Sequence, residues 1–551
     1  MSYLHSLYPL SLILYPFINV PVGYFSLILH AHLPFVRHPE YPEFLEEDWL
    51  YEAITEVYLP LIFIFQNLHE NGASPRLAMN VSPPLCEMLA DSLLEERYTR
   101  HLNNLLDLAH KEVERTSREA QEFFPVAQMY ARTLSAAAWL WNERYGRNLI
   151  RAFRELQDEG VLEIITCGAT HGFLPLISTH EARRAQIQVA ANNYRKHFHR
   201  SPRGIWLPEC AYEAGIENLL AEAGIEYFIA DTHAILYGEP RPRFGVHAPV
   251  RCPNGIAVFA RDLETSQQVW SSIVGYPGNP VYREFYRDIG WDLPIDYLKP
   301  HLHADGARRH LGLKYYRISG KDIPQDKKFP YDPEAARRQA AIDAGDFINK
   351  RIQQAHELRD LYQGRTPLVV SPYDAELYGH WWYEGPQFLD FLFRKLHWDQ
   401  DQIQPIAPCD FLDAKIPIQY QQPSTSSWGE AGYFKVWLNG ATTWMYPHQH
   451  AAEERMTQLA NRFPEAPDDL TWRALNQAAR ELLLAQSSDW AFQIYQGTTV
   501  EYAARRFRSH IRRFDALASD LERNYIDHER LIEIESRDNI FAEIDYRIYQ
   551  T

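Results

Sequence analysis

Short apolar runs that end in ionisable residues recur along this chain, and stretches with helical spacing separate them: GYFSLILHAH, VLEIITCGATH, GIWLPEC, IEYFIADTH and LVVSPYDAE. Strand alternating with helix is the pattern of a parallel barrel or a doubly wound sheet. Both architectures keep their chemistry at the C-terminal ends of the strands. The apolar run Leu368, Val369, Val370 has no packing reason to continue into Asp374, Glu376, His380, Trp381 and Trp382, and GIWLPECAY reaches Glu209 in the same way. Glu209 and Asp374, 374 − 209 = 165 residues apart, are therefore expected to share one pocket.

With 551 residues the chain exceeds one ordinary core, and 46% hydrophobic content with 13% aromatic residues fits a packed enzyme. The net charge of −17 and the lack of a long basic run argue against nucleic acid or an anionic membrane as partner. Five scattered cysteines suggest neither a disulfide framework nor a zinc site, and a reducing, cytoplasmic setting is expected. The many Trp and Tyr residues are either core or flat platforms for sugar rings.

In order, residues 1–22 are apolar but carry Pro9, Pro16 and Pro21 and no secretory pattern, and read as an N-terminal extension. The folded part opens at Gly23. His30 and His32, two apart on a strand, point to one side. With no HExxH or cysteine partner nearby, a polar contact or a core histidine outweighs metal. Residues 48–72 read as a helix with Asp48 as possible N-cap, and LAMNV as the second strand. The charge-laced stretch from about 90 to 160 is too long for one crossover and reads as an inserted helical subdomain. His171 and the pair Asp231 and His233 are expected at strand ends. Residues 238–292, rich in Pro, Gly and aromatics, read as loops over the site, with Arg261, Trp270, Tyr276 and Gly278 placed there. The first part, 23–409, ends before a polar linker, 410–427, and the rest, 428–551, is largely helical and carries Trp428, Trp437 and Asp489.

HAHLPFV, GATHGFLP, GIWLPECAY, SPYDAELYGHWWYEGP and SWGEAGYFKVWLN, in this order and at these separations, closely resemble the motifs of glycoside hydrolase family 57, in particular its 1,4-α-glucan branching members. The resemblance runs from about Gly23 to the C-terminus. It implies an α/β fold: an incomplete (β/α)7 TIM-like barrel with an inserted helical subdomain and a C-terminal all-helical domain. The implied mechanism is retaining, with no metal and no cofactor, and the implied partner is an α-glucan handled by a monomer or weak oligomer. On matching positions Glu209 looks like the nucleophile and Asp374 like the acid/base. His30, His32 and His171 resemble sugar-contacting histidines. Arg261, Gly278, Trp428 and Asp489 fall where similar enzymes bind glucan, and Trp49, Trp270 and Trp437 resemble aromatic platforms. Two positions depart from the pattern. Phe244 stands where branching members carry a loop Tyr that gates acceptor against water, and Thr498 stands where the family often has Gln.

Two carboxyl groups with opposed tuning suffice for glycoside cleavage without a metal. The same residues also allow an α-amylase-type hydrolase or a 4-α-glucanotransferase. From other classes, a metal-dependent deacetylase- or mannosidase-like barrel would use His30, His32 and a carboxylate as ligands, and a catalytically dead glucan-binding module would use neither Glu209 nor Asp374 in catalysis.

Overall fold

The structure is a computed structural model that describes residues 20–271 and 274–551. The expected N-terminal extension therefore lies almost wholly outside the described residues.

Eight strands carry the frame: β1 (Gly23–Ala31), β2 (Leu77–Val81), β3 (Leu162–Ile165), β4 (Gly204–Trp206), β5 (Tyr227–Ala230), β6 (Val250–Arg251), β7 (Ala257–Ala260) and β8 (Leu368–Asp374). Parallel pairing runs β8-β1-β2-β3 in one sheet and β4-β5-β7 in the next. A parallel bridge from Thr166 to Ile205 links β3 to β4, so seven parallel strands follow one another around the frame. The short β6 is antiparallel to β7 and extends that sheet outward.

Side chains alternate across a strand, and here the alternation sorts them into two apolar clusters. Ile28, Ala78, Ile165, Trp206, Tyr227, Ile229, Ala257, Phe259, Leu368 and Val370 pack together on one side. Leu27, Leu29, Leu77, Met79, Ile164, Ile205, Phe228, Val258 and Val369 join the surrounding helices on the other. Counting two residues on from the first set reaches His30, Asn80, Asp231, Arg261 and, from Val370 by two steps, Asp374. The polar ends of five strands thus point toward the same interior.

Three helices, Ser92–Glu119, Phe124–Trp139 and Leu149–Asp158, occupy the stretch expected to be helical between β2 and β3. The first and last begin at side-chain caps, Asp91 accepting from the Leu94 amide and Asn148 from the Arg151 amide. Five further helices between Met445 and Arg537 pack on the other flank. They are tied to the segments that follow β3 and β1 by the Ser488 amide on the His171 carbonyl at 3.0 Å and by Arg506 on the Phe35 carbonyl at 2.8 Å.

Two sequence expectations are corrected. Residues 238–292 are not loops throughout: they contain β6, β7 and the helix Leu263–Trp270. Only four residues of β7 are apolar in sequence, and the Pro and Gly around them hid the strand. Residues 410–427 are not a free linker either. Gln419–Tyr420 pairs with β6, Ser426 bridges to Tyr212, and the strap delivers Trp428 to the Glu209 backbone, its amide 3.0 Å from that carbonyl.

Candidate active site

A cleft of about 590 Å³ opens where the parallel strands end, and both Glu209 and Asp374 line it. Register explains part of this. His30 pairs with Asp374 across β1 and β8 and with Asn80 across β1 and β2, so all three lie at one level. Glu209 arrives differently. The strand stops at Trp206, and Pro208–Cys210 forms a tight turn in which Glu209 and Cys210 take φ of 61° and 50°. His171 lies six residues past β3 with φ 58°. Left-handed backbone costs a residue with a Cβ about 1–3 kcal/mol and persists only where surroundings hold it. Two of the three, Glu209 and His171, line the cleft, while Cys210 packs in the apolar cluster beneath it.

Both oxygens of the Glu209 carboxylate are occupied. Trp428 Nε1 donates to Oε2 at 2.8 Å, and Ser488 Oγ stands 2.7 Å from Oε1. Burial pushes the carboxyl up to about 6, against the pull of those two hydrogen bonds. Asp374 is held otherwise: among the described residues no side chain or amide donates to its carboxylate. Burial raises it well above the ordinary range, and the neighbouring Glu376 and Glu209 carboxylates raise it further, opposed by Arg261. Arg261 itself is tied to Asp231. One carboxyl is thus held and oriented by donors, while the other is kept protonated by burial and, after it, by its neighbouring carboxylates, the division of labour that acid/base glycoside chemistry needs.

The three histidines form one stack. The His32 and His171 rings lie 3.9 Å apart at 12°, and His30 stacks on Trp206 at 4.6 Å. His32 bonds Asp489 through Nε2 at 3.1 Å and Ser82 through Nδ1 at 2.9 Å. Burial works against ionisation of Asp489, yet His32, His171 and the Ser487 hydroxyl hold its carboxyl down at about 2. Two triplets, His30 with Cys167 and His171, and His32 with His171 and Asp489, bring ligand atoms within 4.8 Å. Every nitrogen of those three rings already has a hydrogen-bond partner, so a metal ion would have to displace those bonds.

Of the remaining sequence candidates, Arg261, Trp270, Trp428, Trp437 and Asp489 line the cleft. Trp270 is 38% exposed and meets Trp428 edge-on, whereas Trp437 is 1% exposed and packed on Phe173, so only the first has a free face. Trp49 packs against Tyr502 and Gly278 sits in a short turn, neither among the lining residues. Phe244 packs on Tyr362 and under Arg365, and the nearby His247 carbonyl accepts from Leu368, the first residue of β8. That is the opposite end of the strand from Asp374, which corrects the expectation that Phe244 gates the acceptor. Thr498 is exposed, while Gln496, two positions earlier, lines the cleft. Tyr276 donates to Asp346, away from the carboxylates.

Sequence reasoning named Glu376 without giving it a role. Its Oε1 accepts from Tyr58 at 2.5 Å and from the His32 amide, burial pushes it up to about 7, and it faces the cleft. Gly379 makes the turn that follows, with φ +129° and the Glu56 carbonyl where a Cβ would stand. Ser488, Asn80, Phe492 and Tyr495 were missed. Ser488 had a signal, since it stands immediately before Asp489. Phe492, Tyr495 and Gln496 follow at helical spacing on the same face, in the helix Ser488–Gln496.

Residues 26–424 match the model of glycosyl hydrolase family 57, and residues 448–549 match that of the 1,4-alpha-glucan branching enzyme C-terminal region. The chain is 33% identical to the 1,4-alpha-glucan branching enzyme TK1436 of Thermococcus kodakarensis, over 95% of this chain and 78% of that protein. Among solved structures, the alpha-amylase AmyC of Thermotoga maritima aligns with a TM-score of 0.90 at 42% identity, covering 96% of this chain and 99% of that one. The GH57-type branching enzyme of Pyrococcus horikoshii aligns with a TM-score of 0.86 at 35% identity, covering 96% and 97%.

Proposed function

Because the chain belongs to glycosyl hydrolase family 57, we propose that it is a retaining 1,4-α-glucan branching enzyme with Glu209 as nucleophile and Asp374 as acid/base. The observation that carries the roles is the unequal bonding of two carboxyls in one cleft: donors on Glu209 and, among the described residues, none on Asp374. The protonated Asp374 gives its proton to the oxygen of an α-1,4 link as a Glu209 oxygen bonds to C1, inverting that carbon. The Asp374 carboxylate then takes the proton of a 6-hydroxyl on a second chain, whose oxygen displaces Glu209 with a second inversion and closes an α-1,6 link. His30, His32, His171, Arg261 and Asp489 are proposed to position the sugar, with Trp270 and Trp428 as its stacking faces. The match of residues 448–549 to the branching C-terminal model supports transfer, because one helix of this flank, Ser488–Gln496, supplies Asp489, Phe492, Tyr495 and Gln496 to the cleft.

One observation favours a second reading, α-amylase-type hydrolysis: the 42% identity to a solved chain described as an α-amylase. Incubation with amylose separates the two. Branching lowers iodine staining and creates isoamylase-sensitive branches with few new reducing ends. Reducing ends that rise as fast as staining falls would make the enzyme a hydrolase, and new linear chains without branches a 4-α-glucanotransferase.

A further inference from the structure

His233, at the end of one of the apolar runs, takes no part in the reaction described above, yet it joins two parts of the cleft. Its Nδ1 lies 3.3 Å from Asp231 Oδ1, and the other oxygen of Asp231 holds Arg261, which lines the cleft. Its Nε2 lies 2.5 Å from the Gly432 carbonyl.

Gly432 closes a tight turn that opens at Ser427 and Trp428. The Ser427 amide donates to the same Gly432 carbonyl at 2.9 Å, the Gly432 amide donates to the Gly429 carbonyl at 2.9 Å, and Ala431 takes φ of 66°. Left-handed backbone at a residue with a Cβ persists only where its surroundings hold it. The turn carries Trp428 onto Glu209: the Trp428 amide donates to the Glu209 carbonyl at 3.0 Å and the indole to the carboxylate at 2.8 Å. Trp428, Gly429 and Glu430 all line the cleft. The outer tie of the turn, Glu430 with Lys435 and Tyr495, is exposed to solvent. The inner tie is His233, whose ring packs so closely on Gly432 that a Cβ there would stand 3.0 Å from it.

A carboxylate oxygen and a carbonyl oxygen only accept, so His233 makes both contacts together only with a proton on each nitrogen. The bond to Asp231 raises its pKa above the ordinary histidine value, against burial, and the Gly432 carbonyl adds to the rise while Arg261 opposes it. The titratable and charged groups facing the ring are Asp231, Arg261 from the end of β7, Tyr237 from the next turn of its own helix and Tyr433 from beyond Gly432. A neutral ring has one proton for two acceptors. The charged acceptor, Asp231, keeps it, and a bare Nε2 then faces the Gly432 carbonyl, lone pair against lone pair. With a raised pKa in the folded chain, the double contact is complete at low pH and is lost as pH rises through that pKa.

We propose that protonated His233 is a latch that holds the Trp428 turn over Glu209, and that its loss of a proton opens this side of the cleft to water, so that acid favours transfer and alkali hydrolysis. The proposal rests on the reading of the chain as a transferase with Glu209 as nucleophile. Both fates begin from the same sugar bonded to Glu209. The Asp374 carboxylate takes the proton of either a 6-hydroxyl or a water, the oxygen so freed displaces Glu209 from C1, and the product is a branch or a new reducing end. Titration of Asp374 affects both fates alike and cancels in their ratio. His233 touches no sugar; it is a positioning residue that acts through Trp428.

The test follows two readouts on the full chain between about pH 6 and 9. One is the number of reducing ends per new branch made from amylose. The other is hydrogen exchange of the Ser427, Trp428 and Gly432 amides, corrected for the intrinsic pH dependence of exchange. Both are expected to rise about fivefold with pH, the factor that separates a bond from a charged donor from one between neutral groups. His233→Gln keeps a donor for the Gly432 carbonyl but no titrating proton, and both readouts should stay low and flat; in His233→Ala they should be high and flat. Parent readouts that ignore pH, or a His233→Ala chain that keeps the parent's pH dependence, would overturn the latch. A turn that loosens while the ratio stays constant would remove its control of water. If no branches form at any pH, the transferase reading falls instead, and exchange of the three amides alone decides whether His233 holds the turn.

Discussion

The two walls of the cleft treat a carboxyl group in opposite ways. On the Glu209 wall, a turn with left-handed backbone presents the side chain to an indole and a hydroxyl, both brought in from the C-terminal third of the chain. On the Asp374 wall, the side chain extends from the end of a regular strand, buried beside the carboxylates of Glu376 and Glu209 and, among the described residues, without a donor. Donors favour the ionised form and neighbouring anions the protonated one. A nucleophile and an acid can therefore be distinguished by what surrounds them, although both are buried.

The most damaging way to break that contrast is to remove the acid. Asp374→Asn keeps the shape and abolishes the proton, and kcat on amylose should fall by about 10²–10⁴-fold. The loss should be smaller on an α-glucosyl substrate whose leaving group needs no protonation, such as α-glucosyl fluoride. Equal losses on both substrates would remove Asp374 from the acid role. Trp428→Phe is a milder insult to the opposite wall. It leaves an aromatic ring beside the cleft but deletes the indole donor to Glu209, a bond to a charged group worth about 1.5–3 kcal/mol. Turnover should fall by about 10- to 100-fold with KM changing less, and a change confined to KM would reduce Trp428 to a sugar platform.

How far the sequence revealed these walls follows from how local each one is. The Asp374 wall was legible, because a period-two strand fixes which way Leu368, Val370 and Asp374 point, and the register with His30 follows from parallel pairing. The position of Glu209 at a strand end was legible too, but its φ of 61° was not, since nothing in WLPEC demands a left-handed turn at a glutamate. Trp428 and Ser488 lie 428 − 209 = 219 and 488 − 209 = 279 residues from Glu209, and such contacts are decided by packing rather than by pattern. Composition actively misled in two places: the Pro- and Gly-rich context of Ala257–Ala260 concealed a central strand, and the polar stretch 410–427 is bonded into the sheet edge. The role expected of the loop around Phe244 rests on the family resemblance alone, and its chain runs to the other end of β8.

The smallest expected effect sharpens the contrast from within the Asp374 wall. After burial, the strongest influence raising Asp374 is the carboxylate of Glu376, whose Oε1 is fixed by Tyr58. Glu376→Gln keeps the hydrogen-bonding shape and deletes the charge, so the pKa of Asp374 should fall. Asp374 must be protonated to act as acid, and its ionisation sets the basic limb of the kcat/KM profile; that limb should therefore move to lower pH, by about one unit, while the acid limb set by Glu209 near 6 stays in place. Because Glu376 itself titrates at about 7, the two profiles should agree best well below that pH, where Glu376 is neutral in the parent enzyme, and diverge above it. A basic limb that stays put or moves upward would show that Glu376 does not tune the acid through its charge.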